Sequence, residues 1–397
     1  MLELLSQSEE YIERVPMNFH RYLSRQINWN NRLIGIKGAR GTGKTTLLLQ
    51  WLRLQNQPSF KAAYFSLDEL YFLNHSLHET AKSFYKQGGK ILILDEVHKY
   101  PSWSREIKIL YDRYADLKII FTGSSILDLS RQEGDLSRRA LMHELSGLSF
   151  REYLVLNGIY TIEPVTLEEI IDPSLNFKKK FPENFRPYEY FDSYLNSGYY
   201  PFYLEDQAGY HQRLRQLIRL IVEYDMAEIR GFDIRNAKKL LQLLHIVAQQ
   251  VPFKPNLQSL AEKSNIHRNS ISNYLHFLEE ARLIKLLYPS GISISLLQKP
   301  EKIFLNNSNL LFALSDDVPS KGTVRETFFF SQLNVNHHVS QPGSGDFEVD
   351  GKYIFEIGGS GKKYKQIKNL NNAFLVRDEL EYPVGKDLPI WIFGLLY

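Results

Sequence analysis

The stretch that most constrains this chain is Gly38-Ala39-Arg40-Gly41-Thr42-Gly43-Lys44-Thr45, a G-x-x-x-x-G-K-T phosphate loop of the Walker A type. Its flanks supply the context that such a loop needs. Arg32-Leu33-Ile34-Gly35-Ile36-Lys37 before it reads as a buried strand. Thr46-Leu47-Leu48-Leu49-Gln50-Trp51-Leu52 after it reads as a helix. Gly38, Gly41 and Gly43 let the backbone wrap with its N–H groups pointing inward, and the helix N-terminus adds partial positive charge. Lys44 is placed to reach the β- and γ-phosphates of ATP. The Thr45 hydroxyl is placed to ligate Mg²⁺, and Thr42 and Thr46 complete the run that lines the phosphates.

A phosphate loop needs an acid that supports the metal. Ile91-Leu92-Ile93-Leu94-Asp95-Glu96 provides a Walker B pattern: an apolar run for a buried parallel strand, then two acids at its carboxyl end. Asp95 would hold Mg²⁺ through water, and Glu96 would deprotonate the attacking water. Residues 60–67 read as a strand lying in sequence between these two. Leu117–Ser125 reads as a further strand ending in polar residues. In the ATPase class with an added strand, this fourth strand lies between the P-loop strand and the Walker B strand. Thr122 or Ser124 would then face the γ-phosphate. Arg138 and Arg139 follow; either would stabilise γ-phosphate charge, in its own site or in that of a neighbouring copy in a homo-oligomer. The competing reading of the two arginines is a surface basic pair. Leu141–Leu145 reads as a fifth strand, and Ser149 with Glu152 forms a capping box.

Four of these segments together resemble a known family. Gly38–Thr46, Leu94-Asp95-Glu96-Val97-His98-Lys99-Tyr100-Pro101-Ser102-Trp103, Phe121-Thr122-Gly123-Ser124-Ser125 and Leu148-Ser149-Phe150-Arg151-Glu152-Tyr153 occur in this order. The set is similar to prokaryotic AAA-type ATPases (AAA_14-like) that carry a DUF4143 C-terminal region. In that family a His or Gln, a short turn and a Trp follow the Walker B strand, and a Thr-Gly-Ser sensor strand comes later. The cellular role of the family is largely unassigned. Asn196-Ser197-Gly198-Tyr199-Tyr200-Pro201-Phe202 is similar to another landmark of it.

The second half carries weaker signals. Lys238–Gln250, Leu257–Lys263 and His267–Leu283 read as helices, the second capped by Asn256, and a strand follows at Leu283–Tyr288. This is the pattern of a winged helix-turn-helix. Arg268, Asn269, Ser270, Asn273 and His276 lie near the start of its last helix and are chemically able to contact duplex DNA. The competing reading is a protein-contact module. Further on, Asp350 and Glu356-Ile357-Gly358 resemble the metal-binding hairpin D…E-x-K of restriction-endonuclease-like folds, with two acids for Mg²⁺ and a lysine for the scissile phosphate. Gly358 stands where that lysine belongs; Lys362 and Lys363 lie just beyond it. The expectation is an endonuclease-like domain without cutting activity. Pro389–Tyr397 reads as a buried last strand.

Composition narrows the setting. Among 397 residues there is no cysteine, which removes disulfides, thiolate zinc sites and cysteine nucleophiles together. A formal charge of +3 falls short of a dedicated nucleic-acid binder. No apolar run is long enough to cross a membrane, the first residues do not read as a signal peptide, and a cytoplasmic setting is expected. The expected fold is α/β: a P-loop ATPase domain with a central parallel sheet over 1–155, a helical connector over 156–235, the winged helix over 236–290 and a small α/β domain over 291–397. The expected cofactors are ATP and Mg²⁺, with a protein client left open.

Overall fold

The computed structural model describes residues 1–123, 136, 138–226, 234–291, 299–359, 361–368 and 370–397. Two compact units divide it: Met1–Gly147, and the described residues from Leu148 to Tyr397.

The first unit is built on five parallel strands: β1 (Leu33–Lys37), β2 (Ala62–Ser66), β3 (Ile91–Asp95), β4 (Lys118–Gly123) and β5 (Leu141–Glu144). Their spatial order is β2-β3-β4-β1-β5, so β4 separates the phosphate-loop strand from the Walker B strand, as the added-strand class requires. Continuous apolar runs such as Leu92-Ile93-Leu94 and Ile119-Ile120-Phe121 are fully buried because helices cover both faces of a parallel sheet. The helix Leu77–Lys86 buries Leu77, Ala81 and Phe84, and Trp103–Arg113 buries Trp103, Ile107 and Leu110. Both sets follow the i, i+4, i+7 spacing of a single helix face. Ser76 caps the first of these helices by accepting from the Glu79 N–H. All five strands run the same way, so their carboxyl ends collect the chemistry-bearing residues at one edge.

The second unit starts with the helix Phe150–Leu156, whose capping box is formed as the sequence implies: Ser149 and Glu152 each bond the other's backbone N–H. The helices Ala237–Ala248, Leu257–Ser264 and Arg268–Glu280 follow, then an antiparallel pair, β6 (Ile284–Leu287) and β7 (Lys302–Leu305). Asn256 caps the middle helix. The last part is the helix Lys321–Leu333 with a five-stranded mixed sheet: β8 (Val339–Ser340), β9 (Phe347–Val349), β10 (Tyr353–Gly358), β11 (Ala373–Arg377) and β12 (Asp387–Pro389), in sequential order. β9 runs antiparallel to both neighbours, and β10, β11 and β12 are parallel.

The end of the chain differs from expectation. Trp391, Ile392 and Phe393 are fully buried, but Ile390–Leu395 is a 3-10 helix rather than a strand. Only Asp387–Pro389 pairs with the sheet, because Pro389 cannot donate onward to the ladder.

Candidate active site

The site forms where β1, β3 and β4 end. Gly43 caps the Lys44–Leu54 helix with φ 90°, a left-handed conformation that disfavours side chains. At Gly38 a Cβ would lie 2.4 Å from the Leu145 carbonyl oxygen, so only glycine lets the loop leave β1 this close to the strand beyond it. Thr42 Oγ1 donates to the Ala39 carbonyl at 2.8 Å, and buried Lys44 Nζ donates to the Gly38 and Ala39 carbonyls at 3.0 and 3.1 Å. Gly41 and Thr46 are exposed at the mouth of the loop.

The two Walker elements meet directly: Thr45 Oγ1 donates to Asp95 Oδ2 at 2.7 Å. Tyr64 Oη donates to the same oxygen at 2.8 Å, and Thr122 Oγ1 donates to Asp95 Oδ1. Burial, then Asp95 itself, push the Tyr64 phenol well above its ordinary range, so it stays the donor. Glu96 leaves the strand with φ 51°, its N–H donates to Thr122 Oγ1 at 3.3 Å, and its carboxylate is partly exposed. His98, fully buried at its side chain, has Nε2 3.5 Å from Glu96 Oε2. Burial first, then the charges of Lys99, Lys44 and Arg40, hold the imidazole down to about 3, so it is neutral. The structure therefore brings Lys44, Thr45, Asp95, Glu96 and Thr122 together at the carboxyl ends of β1, β3 and β4.

Other expected residues fall elsewhere. Ser124 lies outside the described residues. Arg139 pairs with an acid: its Nε and Nη2 clasp the Asp112 carboxylate at 2.8 and 3.0 Å, a bidentate pair that holds the guanidinium on the Trp103–Arg113 helix. Arg138 is exposed. Two residues were not anticipated. One is Tyr64, whose role depends on the register Ser66↔Asp95 between β2 and β3. The other is Arg21, almost wholly buried, which donates to the carbonyls of Thr42, Ser146 (2.7 Å) and Gly147 (3.0 Å). Neither sits in a recognisable motif, so no local signal marks them.

In the second unit, Arg268, Asn269 and Asn273 are exposed at the start of their helix and Ser270 is half-buried. His276 is engaged by Glu280 at 3.1 Å, which places acid beside the face proposed for DNA. The hairpin acids need correction. Asp350 sits in the β9–β10 turn with φ 55°, followed by Gly351 at 64°, and accepts from the His338 N–H at 2.9 Å while contacting His337 Nδ1 at 2.7 Å. It is therefore at the far end of the hairpin from Glu356. The acid opposite Glu356 is Asp346, whose Oδ2 accepts from the Ile357 N–H at 2.8 Å. Buried Glu356 pairs with Lys362 Nζ at 2.6 Å. Lys362 fills the space that a Gly358 side chain would take, its Cβ and Cγ 2.4 Å from that position. Lys302 reaches Glu326 at 3.4 Å and Asp346 at 3.9 Å, and burial pushes the Glu326 carboxyl up.

Comparison with known proteins agrees with the first half of this picture. Residues 30–154 match the AAA_14 family, described as an AAA domain. This segment is similar to an AAA domain. Residues 188–321 match DUF8612, a domain of unknown function; the DUF4143 region that the resemblance implied over 291–397 is not what the comparison finds. An uncharacterized protein of Methanocaldococcus jannaschii is 33% identical over 290 residues, 70% of this chain; the chain spans 61% of the length of that relative. A Walker-type ATPase of Pyrococcus abyssi aligns over 77% of this chain and 99% of its own, with TM-score 0.45 and 14% identity. AMPPCP-bound DnaA from Aquifex aeolicus aligns over 70% and 88%, with TM-score 0.28 and 13% identity. Among the described residues, no helix is long and apolar enough to cross a membrane.

Proposed function

We propose that the Met1–Gly147 unit is a Mg²⁺-dependent ATP hydrolase whose nucleotide state acts on the modules that follow it. The observation that carries this reading is the 2.7 Å bond between Thr45 Oγ1 and Asp95 Oδ2. It joins phosphate loop and acid into one site made of hard oxygen donors, the set that suits Mg²⁺. When bound, Mg²⁺ would neutralise charge on the β- and γ-phosphates, with Thr45 and Asp95 supporting it. Lys44 exchanges its two loop carbonyls for phosphate oxygens. Glu96 takes the proton of the attacking water, and neutral His98 beside it adds no charge that would weaken the base. Thr122 ties the Glu96 backbone to the Asp95 carboxylate, so acid and base keep a fixed separation. Lys44→Ala is expected to abolish both ATP binding and phosphate release. Binding and hydrolysis at parental levels in that variant would sink the reading. The exposed Arg138 is the arginine left to serve a neighbouring copy in a homo-oligomer, and its assignment follows from whether Arg138→Ala lowers turnover only at concentrations where copies associate.

A second reading, phosphodiester cleavage by the C-terminal sheet, is favoured by one observation: Lys362 supplies from a loop the cation that Gly358 lacks. Glu326, Asp346 and Glu356 would be its acids, and the exposed Arg268–Asn273 face would meet the duplex. In the structure the lysines already hold these carboxylates, and among the described residues no three acids or histidines are disposed to hold a metal. Cleavage therefore requires Lys362 to release Glu356. Plasmid DNA left intact after long incubation with Mn²⁺ removes this reading. Nicking that Glu356→Gln abolishes supports it. Binding of duplex DNA that weakens with salt and with Arg268→Ala would support the contact face alone.

A further inference from the structure

Asp95 receives hydroxyl donors from three different elements: Thr45 from the helix after the phosphate loop, Thr122 from β4 and Tyr64 from β2. The first two belong to recognised parts of the site; Tyr64 does not. Its ring is buried, and it shares Asp95 Oδ2 with Thr45. A buried phenol needs an acceptor. Here the acceptor is the carboxylate that supports the metal, so the bond does more than satisfy Tyr64.

Tyr64 is itself held from behind. Its N–H donates to Ser8 Oγ at 2.9 Å, and its ring meets Tyr11 edge-on at 5.5 Å between centroids. Ser8 and Tyr11 both lie on the helix Leu2–Arg14, and Ser8 is completely buried. The phenol is thus anchored at its backbone and along its ring while its hydroxyl holds the carboxylate. A neutral hydroxyl orients Asp95 without competing for its charge, in contrast to an ion pair.

We propose that Tyr64 is a positioning residue for the Mg²⁺–nucleotide complex: it fixes the Asp95 carboxylate in the orientation that supports the metal, and connects that carboxylate to the Leu2–Arg14 helix. This rests on the reading of the site as an ATP site. The role separates from plain packing because it concerns the metal-dependent part of nucleotide affinity and leaves the metal-free part alone.

The test uses the full chain and a fluorescent N-methylanthraniloyl ATP, titrated in EDTA and across Mg²⁺ concentrations. For Tyr64→Phe, metal-free affinity is expected to stay within about twofold, while the Mg²⁺ concentration for half-maximal binding rises about tenfold, the effect of losing one hydrogen bond to a charged group. In Asp95→Asn, adding Tyr64→Phe is expected to change nothing further, because Tyr64 acts through Asp95. A Tyr64→Phe protein with parental Mg²⁺ dependence overturns the proposal. So does one whose affinity falls equally with and without Mg²⁺, or whose effect persists undiminished in Asp95→Asn. Should Tyr64→Phe fold poorly by its thermal midpoint, Ser8→Ala, which keeps the phenol and loosens its anchor, is expected to shift the Mg²⁺ dependence in the same direction, and no shift overturns the proposal. Lys44→Ala separates the two levels of the argument. If the parent binds the analogue and Lys44→Ala does not, the site reading stands and Tyr64→Phe alone decides. If the parent binds no analogue, the site reading fails and takes the proposal with it.

Discussion

The two five-stranded sheets of this protein each hold a buried carboxylate at a strand, and they hold it by opposite means. Asp95 is fixed by neutral hydroxyls from Thr45, Tyr64 and Thr122. Glu356 is fixed by the ammonium of Lys362. Hydroxyls orient a carboxylate and leave its charge in place, so it remains able to attract a cation. An ammonium cancels the charge, so any incoming cation must first displace it. The first arrangement is ready for a ligand and the second is complete without one. This contrast explains why the first unit reads as the working site of the molecule.

The largest expected effect tests the working half. Glu96→Gln keeps shape and removes the base, so turnover should fall by about 10²–10⁴ while ATP binding persists. Turnover near the parental rate would remove Glu96 from the chemistry and blur the contrast. The next tests the sealed half. Lys362→Met leaves Glu356 buried and unpaired, and the Leu148–Tyr397 unit should lose about 3 kcal/mol in denaturant unfolding. Adding Glu356→Gln should recover most of that loss. A neutral Lys362→Met would show that Glu356 was never dependent on its lysine.

A third prediction concerns pH. His98 titrates below its ordinary value of 6.5, at about 3, so its neutral form contributes stability above pH 6.5, and that contribution is lost as pH falls from 6.5 toward 3. The first unit should therefore weaken over this acid range, and His98→Gln should flatten the slope measured by thermal midpoint. An unchanged slope would mean that other groups dominate acid unfolding. The smallest effect sets the scale for the second unit. Ser149→Ala removes a cap that accepts from the Glu152 N–H at 3.1 Å and donates to the Tyr397 carbonyl at 2.6 Å, and should cost about 1 kcal/mol. If Lys362→Met costs no more than this, the lysine pair is only ordinary packing.

Most of the first unit was legible because its signals are local. Glycines at 38 and 43 and an apolar run ending in Asp95-Glu96 each declare a conformation within a few positions, as Ser149 three residues before Glu152 does at the start of the second unit. Tyr64 and Arg21 were not legible, because their partners lie far off in sequence and are met only through strand register and loop closure. Asp350 shows a missed local signal. Asp-Gly between two short strands marks a hairpin turn, and both residues take positive φ in the three-residue connection between the paired Val349 and Tyr353. That turn should have assigned Asp350 to the hairpin tip and moved the search to Asp346. Lys362 lies close enough in sequence to be named, six positions after Glu356, but only the folded loop brings the two together. The arginine reading met the opposite difficulty: Arg139 has the right sequence position, and its nearest carboxylate, Asp112, claims it first.

Arg21 has one more consequence, for the order in which the protein is made. It binds one carbonyl in the phosphate loop and two at Ser146 and Gly147, the last of them 126 positions later in the chain. A nascent chain that has synthesised the whole G-x-x-x-x-G-K-T run still lacks the Ser146 and Gly147 carbonyls that this guanidinium binds. The loop can thus be translated early but finished only when the end of the first unit leaves the ribosome, which times the maturation of the phosphate site to the completion of the unit that carries it.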